Sequence, residues 1–220
     1  MTVSQSLLSI KSQLPSGVRL VAVSKFHPAS CIMEAYEAGQ RLFGENRPQE
    51  LASKAPQLPS DIEWHFIGHL QTNKLKLVLP YVALVESVDS LHLLEAINTW
   101  ALAAGRRIPV LLELHLGAEE TKHGLTEDEI IGILADGAMY PGIEFKGLMG
   151  MATNTDDEAV IEADFARIEG LFYRIRREFP ALSETFNELS IGMSGDWPIA
   201  LRHGATLIRI GTAIFGERQY

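Results

Sequence analysis

The stretch LVAVSKFHPASCIMEAYEAGQRLFGEN, residues 20–46, holds one complete strand–helix–strand unit. Its first strand, Leu20–Ser24, is apolar up to its last residue, and Pro28 and Gly39 mark the start and the end of the helix that follows. A second strand, Leu42–Asn46, comes directly afterwards. Because strands without polar alternation are buried on both faces, this unit predicts a parallel sheet covered by helices.

The same alternation continues from end to end of the chain. The helical segments include a capping box at Thr126 and Glu129 and an apolar stripe from Ile161 to Phe179 that ends before Pro180. Eight strand–helix units in 220 residues favour a (β/α)8 TIM-type barrel over an open doubly wound sheet. We therefore predict one barrel domain over residues 1–220. The predicted strands are Leu20–Ser24, Leu42–Asn46, Trp64–Gly68, Leu84–Asp89, Pro109–Leu116, Phe145–Met151, Glu188–Ser194 and Thr206–Gly211.

The composition is that of a soluble globular protein, with 46% hydrophobic residues and a formal net charge of −9. Lysine and arginine are scattered, so no basic cluster could neutralise a nucleic-acid backbone or an anionic membrane. No apolar run approaches the roughly 20 residues of a membrane helix. The first residues lack the pattern of a signal peptide, and Cys31 has no second cysteine to pair with. We therefore expect a cytoplasmic protein without nucleic-acid or membrane partners.

In such barrels the active site lies at the carboxyl ends of the strands, and here those ends are polar. Lys25 directly follows the first strand. Desolvation at the mouth of a barrel favours a neutral amine, which is the form that attacks an aldehyde. The same side chain could instead extend into solvent or pair with Glu45. Lys25 is therefore a candidate Schiff-base lysine whose assignment depends on its neighbours.

Two strand-then-glycine segments near the carboxyl terminus supply such neighbours. Ser194 and Gly195 precede a short helix with Pro198 in its first turn, and Gly211 and Thr212 follow the last strand. Phosphate sites formed after strands 7 and 8 recur in this architecture. The alternative is that these residues only cap a helix and turn a loop. An amine together with a phosphate cup indicates pyridoxal phosphate.

Arg209 lies within the last strand and shares a face with Leu207 and Gly211. A guanidinium inside a strand requires a partner. If this face points into the barrel, the partner could be a pyridine nitrogen or a carboxylate. A permanently charged donor would keep a pyridine nitrogen unprotonated and weaken the ring as an electron sink. The alternative is an outward arginine that pairs with a helix carboxylate.

Longer strings of sequence extend this interpretation over nearly the whole chain. They are AVSK (22–25), LFGEN (42–46), WHFIGHLQTNK (64–74), EETKHG (119–124), LSIGMSGD (189–196) and RIGTAIFG (209–216). Together they resemble the pyridoxal phosphate homeostasis protein family, whose members are single-domain relatives of the N-terminal barrel of alanine racemase. The resemblance implies an alanine-racemase-N-terminal-like barrel that holds pyridoxal phosphate as a Schiff base on Lys25.

The resemblance also implies roles for further residues. The phosphate would be held by Ser194, Gly195, Gly211 and Thr212. The ring nitrogen would face Arg209, and the ring would be lined by Asn46 and Met193. His65 would contribute from the third strand. Lys122 matches a family lysine that has been linked to moving or releasing the cofactor. Two departures stand out, since Arg47–Pro48 replaces a more apolar pair and His115 stands where asparagine is common. The second departure puts the contact from strand five in doubt.

The function implied is that of a carrier that binds pyridoxal phosphate, buffers this reactive aldehyde and passes it to apo-enzymes with little or no turnover. One alternative is a racemase-type enzyme that uses the same cofactor, with His65, His69, Lys122 or Tyr220 as its second base. Another is a cofactor-free Schiff-base aldolase that acts on sugar phosphates. The seven histidines are dispersed without clear ligand spacing, so we expect no metal site. We expect a monomer or a weak dimer.

Overall fold

The computed structural model describes residues 1–117 and 123–217. In this part of the chain eight parallel strands close into a barrel in sequence order, which confirms the predicted (β/α)8 fold. The first and last strands complete the ring through pairs that run from Arg19 with Leu207 to Ala22 with Ile210. The strands are β1 Arg19–Val23, β2 Leu42–Glu45, β3 Glu63–Phe66, β4 Val82–Val88, β5 Ile108–Leu114, β6 Ile143–Gly150, β7 Glu188–Ser190 and β8 Leu207–Ile210.

The helices surround this barrel. The Thr126–Glu129 capping box is present, and the apolar stripe of the long seventh helix is buried against the sheet. Within the described residues, no helix has the length and apolar character needed to cross a bilayer. The helices are α1 Val3–Lys11, α2 Ala29–Glu37, α3 Pro48–Lys54, α4 Leu75–Val78, α5 Leu91–Ala103, α6 Glu127–Ala135, α7 Glu158–Glu178, α8 Trp197–Arg202 and α9 Thr212–Phe215.

The seventh strand is shorter than the sequence predicts, whereas the other seven agree with prediction to within two residues at each end. The prediction extends it to Ser194, but the strand ends at Ser190. Gly192 adopts a φ of 93°, and a Cβ there would lie 2.7 Å from the Cβ of Ala200. The chain therefore leaves the sheet early because α8 packs closely against the backbone, and the following residues form a loop at the barrel mouth.

The interior of the barrel is divided into an apolar and a polar part. Val21, Leu84, Leu111, Met149 and Leu207 come from five different strands and form a buried cluster separate from the core between strands and helices. Further toward the carboxyl ends of the strands, the buried side chains include glutamates, a histidine and an arginine. The apolar part closes the bottom of the barrel, and the polar part lies where ligands bind in this architecture.

His203 joins α8 to α7 through two carboxylates. Its Nδ1 lies 2.8 Å from Glu169 and its Nε2 lies 2.6 Å from Glu162. Partial burial acts to lower the pKa of His203, but the hydrogen bonds and charges of the two glutamates outweigh it and raise the pKa. The protonated ring therefore ties the two helices together.

This linkage predicts a pH-dependent stability. A raised histidine pKa stabilises the fold below the ordinary value of 6.5, and the stabilisation is lost as pH rises through the folded-state pKa. Thermal unfolding of wild type and His203→Gln should differ by up to about 1 kcal/mol at pH 5.5 and converge at alkaline pH. An equal difference at both pH values would contradict the assignment. The exposed His92, replaced by glutamine, serves as the control and should show no such convergence.

Candidate functional site

A cavity of about 540 Å³ opens at the carboxyl ends of the strands. This volume is in the range of small-molecule sites. His65, one of the nine residues predicted to contact the cofactor, is absent from the described residues that line it. The eight predicted residues in the wall are Lys25, Asn46, Met193, Ser194, Gly195, Arg209, Gly211 and Thr212.

A tight turn positions Lys25. The next residue, Phe26, adopts a φ of 66°, a left-handed conformation that is uncommon for a residue with a side chain. The backbone N–H of Phe26 donates to a carboxylate oxygen of Glu50 at 2.9 Å, and the guanidinium of Arg47 stacks 4.1 Å from the centre of the Phe26 ring. The strained turn is thus held by Arg47, which precedes α3, and by Glu50 in the first turn of α3. It bends the chain sharply so that half-buried Lys25 reaches the cavity wall.

Glu45, the alternative partner considered for Lys25, pairs with a different lysine. It is fully buried and accepts hydrogen bonds from Lys54 Nζ and Ser24 Oγ, both at 2.7 Å. Burial raises the pKa of Glu45, and Lys54 opposes this shift. Lys54 also donates to Glu50 at 2.8 Å and to the carbonyl of Ser24 at 3.1 Å. This network lies behind the β1 end and supports the turn that carries Lys25.

Two loops, which follow β7 and β8, line the cavity beside the end of β1. In the first, the backbone amides of Ser194 and Gly195 donate to no described residue, and a Cβ on Gly195 would meet no atom within 4 Å. In the second, Gly211 lies so close to β1 that a Cβ would come 3.1 Å from the carbonyl oxygen of Val23. Thr212 follows it at the cavity wall. The loops therefore present donors to an anion placed between them.

Asn46 offers a hydrogen-bond acceptor at the cavity wall. Its side-chain oxygen is buried and has no hydrogen-bond partner among the described residues, although the residue lines the cavity. Buried polar atoms are nearly always satisfied, because leaving one without a partner costs about 1–3 kcal/mol. A bound molecule with a hydrogen-bond donor would satisfy this oxygen.

Arg209 points into the barrel, which excludes the outward alternative. It is 4% exposed. One terminal nitrogen donates to the carbonyl and the hydroxyl of Ser190 at 2.8 and 2.6 Å, and the other donates to the carbonyl of Gly150 at 2.9 Å. A carboxylate oxygen of Glu86 lies 3.8 Å away. The guanidinium is held in place by these contacts, and Arg209 also lines the cavity.

His65 acts behind this arginine rather than in the cavity. It is 2% exposed, and its Nδ1–H donates to Glu86 at 2.6 Å. The other carboxylate oxygen of Glu86 accepts the Ser190 hydroxyl, also at 2.6 Å. Burial acts to raise the pKa of Glu86, but the hydrogen bond and charge of His65 and the charge of Arg209 hold it below its usual value. His65 thus lies on β3 away from the cavity wall, and it is linked to Arg209 only through a buried carboxylate.

Glu113 is a wall residue that sequence reasoning missed. It lies on β5, is 5% exposed, and faces the cavity, while His115 lies just beyond the strand end. Burial, assisted by the charge of Asp89 and opposed by Arg209, raises the pKa of Glu113 to about 7. The available signal was a single carboxylate inside an otherwise apolar strand. His115, which put the contact from strand five in doubt, does not line the cavity among the described residues, whereas Glu113 lines it from this strand.

Three further observations complete the site. His69 and His123 also line the cavity. The apolar walls come from Val23, Ile67, Met151 and Met193. Lys122 and Tyr220 lie outside the described residues, so their predicted roles stay predictions.

Comparison with known proteins places these features in context. The family model described as "Alanine racemase, N-terminal domain" matches residues 3–219. The pyridoxal phosphate homeostasis protein of Vibrio alginolyticus is 37% identical over 94% of this chain and 89% of its own length. The human protein of the same name is 41% identical over 92% of this chain and 77% of its own length.

The similarity extends to solved structures. PipY of Synechococcus elongatus PCC7942, solved with pyridoxal phosphate bound, superimposes with a TM-score of 0.90 at 38% identity. The match covers 97% of this chain and 100% of that chain. These agreements in sequence, length and fold show that the chain belongs to the pyridoxal phosphate homeostasis protein family.

Proposed function

We propose that the chain binds pyridoxal phosphate through Lys25 and takes part in vitamin B6 homeostasis, with little or no catalytic turnover. The observation that carries this proposal is the meeting of Lys25 with two donor-rich loops across one cavity. The names of the relatives and the ligand in the PipY structure support the choice of cofactor.

The residues present fit this cofactor. The two loops at Ser194–Gly195 and Gly211–Thr212 would hold its phosphate, because backbone amides and hydroxyls are the usual partners of such an anion. The buried oxygen of Asn46, which has no described partner, would accept a hydrogen bond from the ring. Met193 would cover the ring. When bound, the cofactor supplies an aldehyde that condenses with a primary amine, forming a C=N bond and releasing water.

Arg209 supplies the reason for low turnover. Its guanidinium is permanently charged and has only hydrogen-bond donors. If it donates to the pyridine nitrogen of the cofactor, that nitrogen stays unprotonated. An unprotonated ring withdraws electrons weakly and stabilises a carbanion poorly. The contacts of Arg209 with Ser190 and Gly150 prevent it from moving away. The site would hold the cofactor without activating it strongly, as a carrier requires.

Borohydride reduction tests the anchor directly. Reduced wild-type protein should gain the mass of one pyridoxyl phosphate group, and peptide mapping should place it on Lys25. Lys25→Ala should gain no such mass, whereas Lys76→Ala, a change at an exposed lysine of α4, should behave as wild type. Unmodified wild-type protein, or modification of Lys25→Ala at another lysine, would overturn the proposal.

Delivery of pyridoxal phosphate to apo-enzymes is a further step of the proposal and needs its own test. The loaded protein, freed of unbound cofactor, should restore the activity of a pyridoxal-phosphate-requiring apo-enzyme. Restoration faster than spontaneous release from the loaded protein would indicate direct transfer. Restoration at the rate of release alone would limit the function to buffering. The cytoplasmic location and the monomeric or weakly dimeric state of the protein stay predictions.

A racemase-type activity is the second candidate, and Glu113 is the observation that favours it. A buried carboxyl with a pKa of about 7 in the cavity wall could take or give a proton near neutral pH. Incubation with single-enantiomer alanine or serine separates the two functions. The carrier leaves optical rotation unchanged, whereas a racemase reduces it steadily and loses this activity in Glu113→Gln.

A further inference from the structure

Three residues at the opening of the cavity converge in a way that their sequence spacing does not reveal. His69 follows β3, Asp89 follows β4 and His123 follows β5. One ligand atom from each lies within 4.8 Å of the others. The Nδ1 atoms of His69 and His123 lie 2.6 and 3.8 Å from the same oxygen of Asp89. Successive strand ends thus bring two nitrogens and one oxygen to one point.

The donor set and its support match a metal site with an open position. Two imidazoles and one carboxylate are common zinc ligands, and three protein ligands with a free fourth position distinguish reactive sites from structural ones. The Asp89 side chain is only 5% exposed, and its second oxygen accepts the Ser90 hydroxyl at 3.2 Å. Such outer contacts orient metal-binding carboxylates. Asp89 is therefore a fixed ligand around which the two histidines can adjust.

The distances are compatible with a bound ion after small side-chain movements. Zinc–ligand bonds of roughly 2.0–2.2 Å in a tetrahedron separate the ligand atoms by roughly 3.4 Å. The observed separations of 2.6 and 3.8 Å from Asp89 lie on either side of that value. The histidine side chains are 45% and 61% exposed, so they have room to rotate.

The two histidines lie side by side next to the same carboxylate. Their rings stack with centroids 4.0 Å apart and planes 16° from parallel. Because a metal ion lies in the plane of each imidazole that binds it, at least one ring must rotate to bring both nitrogens onto a shared ion.

We propose that His69, Asp89 and His123 bind one divalent transition-metal ion, with zinc as the best fit, at the opening of the cavity. Both histidines line the cavity, so a bound ion would lie at its wall. None of the three residues belongs to the set proposed to hold pyridoxal phosphate. The metal site and the cofactor site are thus adjacent but separate.

Calorimetric titration of the metal-free protein with zinc chloride tests the proposal. We expect one zinc per chain, and we expect His69→Ala, His123→Ala and Asp89→Asn each to weaken binding by at least about 10-fold. His92→Ala, a change at an exposed histidine of α5, should bind as wild type. Equal binding by all four variants, or no stoichiometric binding by wild type, would overturn the proposal.

Two further measurements keep the result interpretable. Cobalt(II) in the site should give the intense visible bands of tetrahedral coordination in wild type and not in His69→Ala, and circular dichroism should show both proteins folded. Lys25→Ala should bind zinc as wild type does, because Lys25 is not a ligand. Failure of the cofactor proposal would therefore leave the zinc result unchanged, and octahedral cobalt spectra in wild type would contradict the proposed ligand set.

Discussion

Replacing Glu86 with glutamine is expected to lower the free energy of unfolding by about 3–5 kcal/mol, the usual cost of breaking a buried charged network. Glu86 is fully buried, accepts hydrogen bonds from His65 and Ser190, and lies 3.8 Å from Arg209. Glutamine keeps the shape of the side chain. It removes the negative charge beside a buried guanidinium and turns one acceptor into a donor that faces other donors.

The effect should depend on pH in a defined direction. The pKa of Glu86 is held below its ordinary value of 4.5, so its contribution is present above that value. The contribution is lost as pH falls through the folded-state pKa. Urea unfolding at pH 7 should therefore show the full difference between wild type and Glu86→Gln. The difference should shrink when both are measured in acid.

A matched control separates the network from the charge alone. Glu144 on β6 is partly exposed and pairs with Lys146 at 3.1 Å. Glu144→Gln should cost no more than about 1 kcal/mol, as expected for an exposed pair. If Glu86→Gln proves as mild as this control, the network does not stabilise the barrel in the manner described. The wild-type fold would then have to hold Arg209 by its carbonyl contacts alone.

Replacing Gly147 with alanine is expected to destabilise the protein by at least about 4 kcal/mol or to prevent folding. Gly147 lies on β6 with a φ of 154°, opposite Glu188 of β7. A Cβ at this position would come 1.7 Å from the carbonyl oxygen of Glu188. Relief of this clash requires separation of β6 from β7, which would open the barrel beside the residues that hold Arg209.

The control for this prediction is another glycine-to-alanine change. Gly170 lies on the exposed side of α7, and a Cβ there would meet no atom of the described residues within 4 Å. Gly170→Ala should therefore stabilise the protein by about 0.5–1 kcal/mol, because alanine loses less backbone entropy in a helix. Chemical unfolding of both variants measures the contrast. A Gly147→Ala protein as stable as wild type would show that the two strands can separate without cost.

Much of the candidate site was predictable because each strand end follows directly from a local pattern. Lys25 was predictable because the apolar strand Leu20–Ser24 ends just before it, whereas the role of Asn46 was implied only by the family resemblance. Arg209 was found because a charge inside such a run is rare. His65 was placed on the correct strand, but its hydrogen-bond partner Glu86 lies on a different strand. A single-strand pattern contains no information about that partner.

The sequence by itself determined the eight strands and helices, the barrel class and the end of the barrel that carries the chemistry. These depend on the spacing of apolar residues and on glycine and proline positions, which are local properties. Only the tertiary structure decided which polar groups meet. The Glu86–Arg209 network joins β4 to β8 across the closed ring. Glu113 reaches the cavity wall, and His69, Asp89 and His123 meet, where the ends of neighbouring strands come together. Closure sets the register between strands that are distant in the chain, and local periodicity does not encode that register.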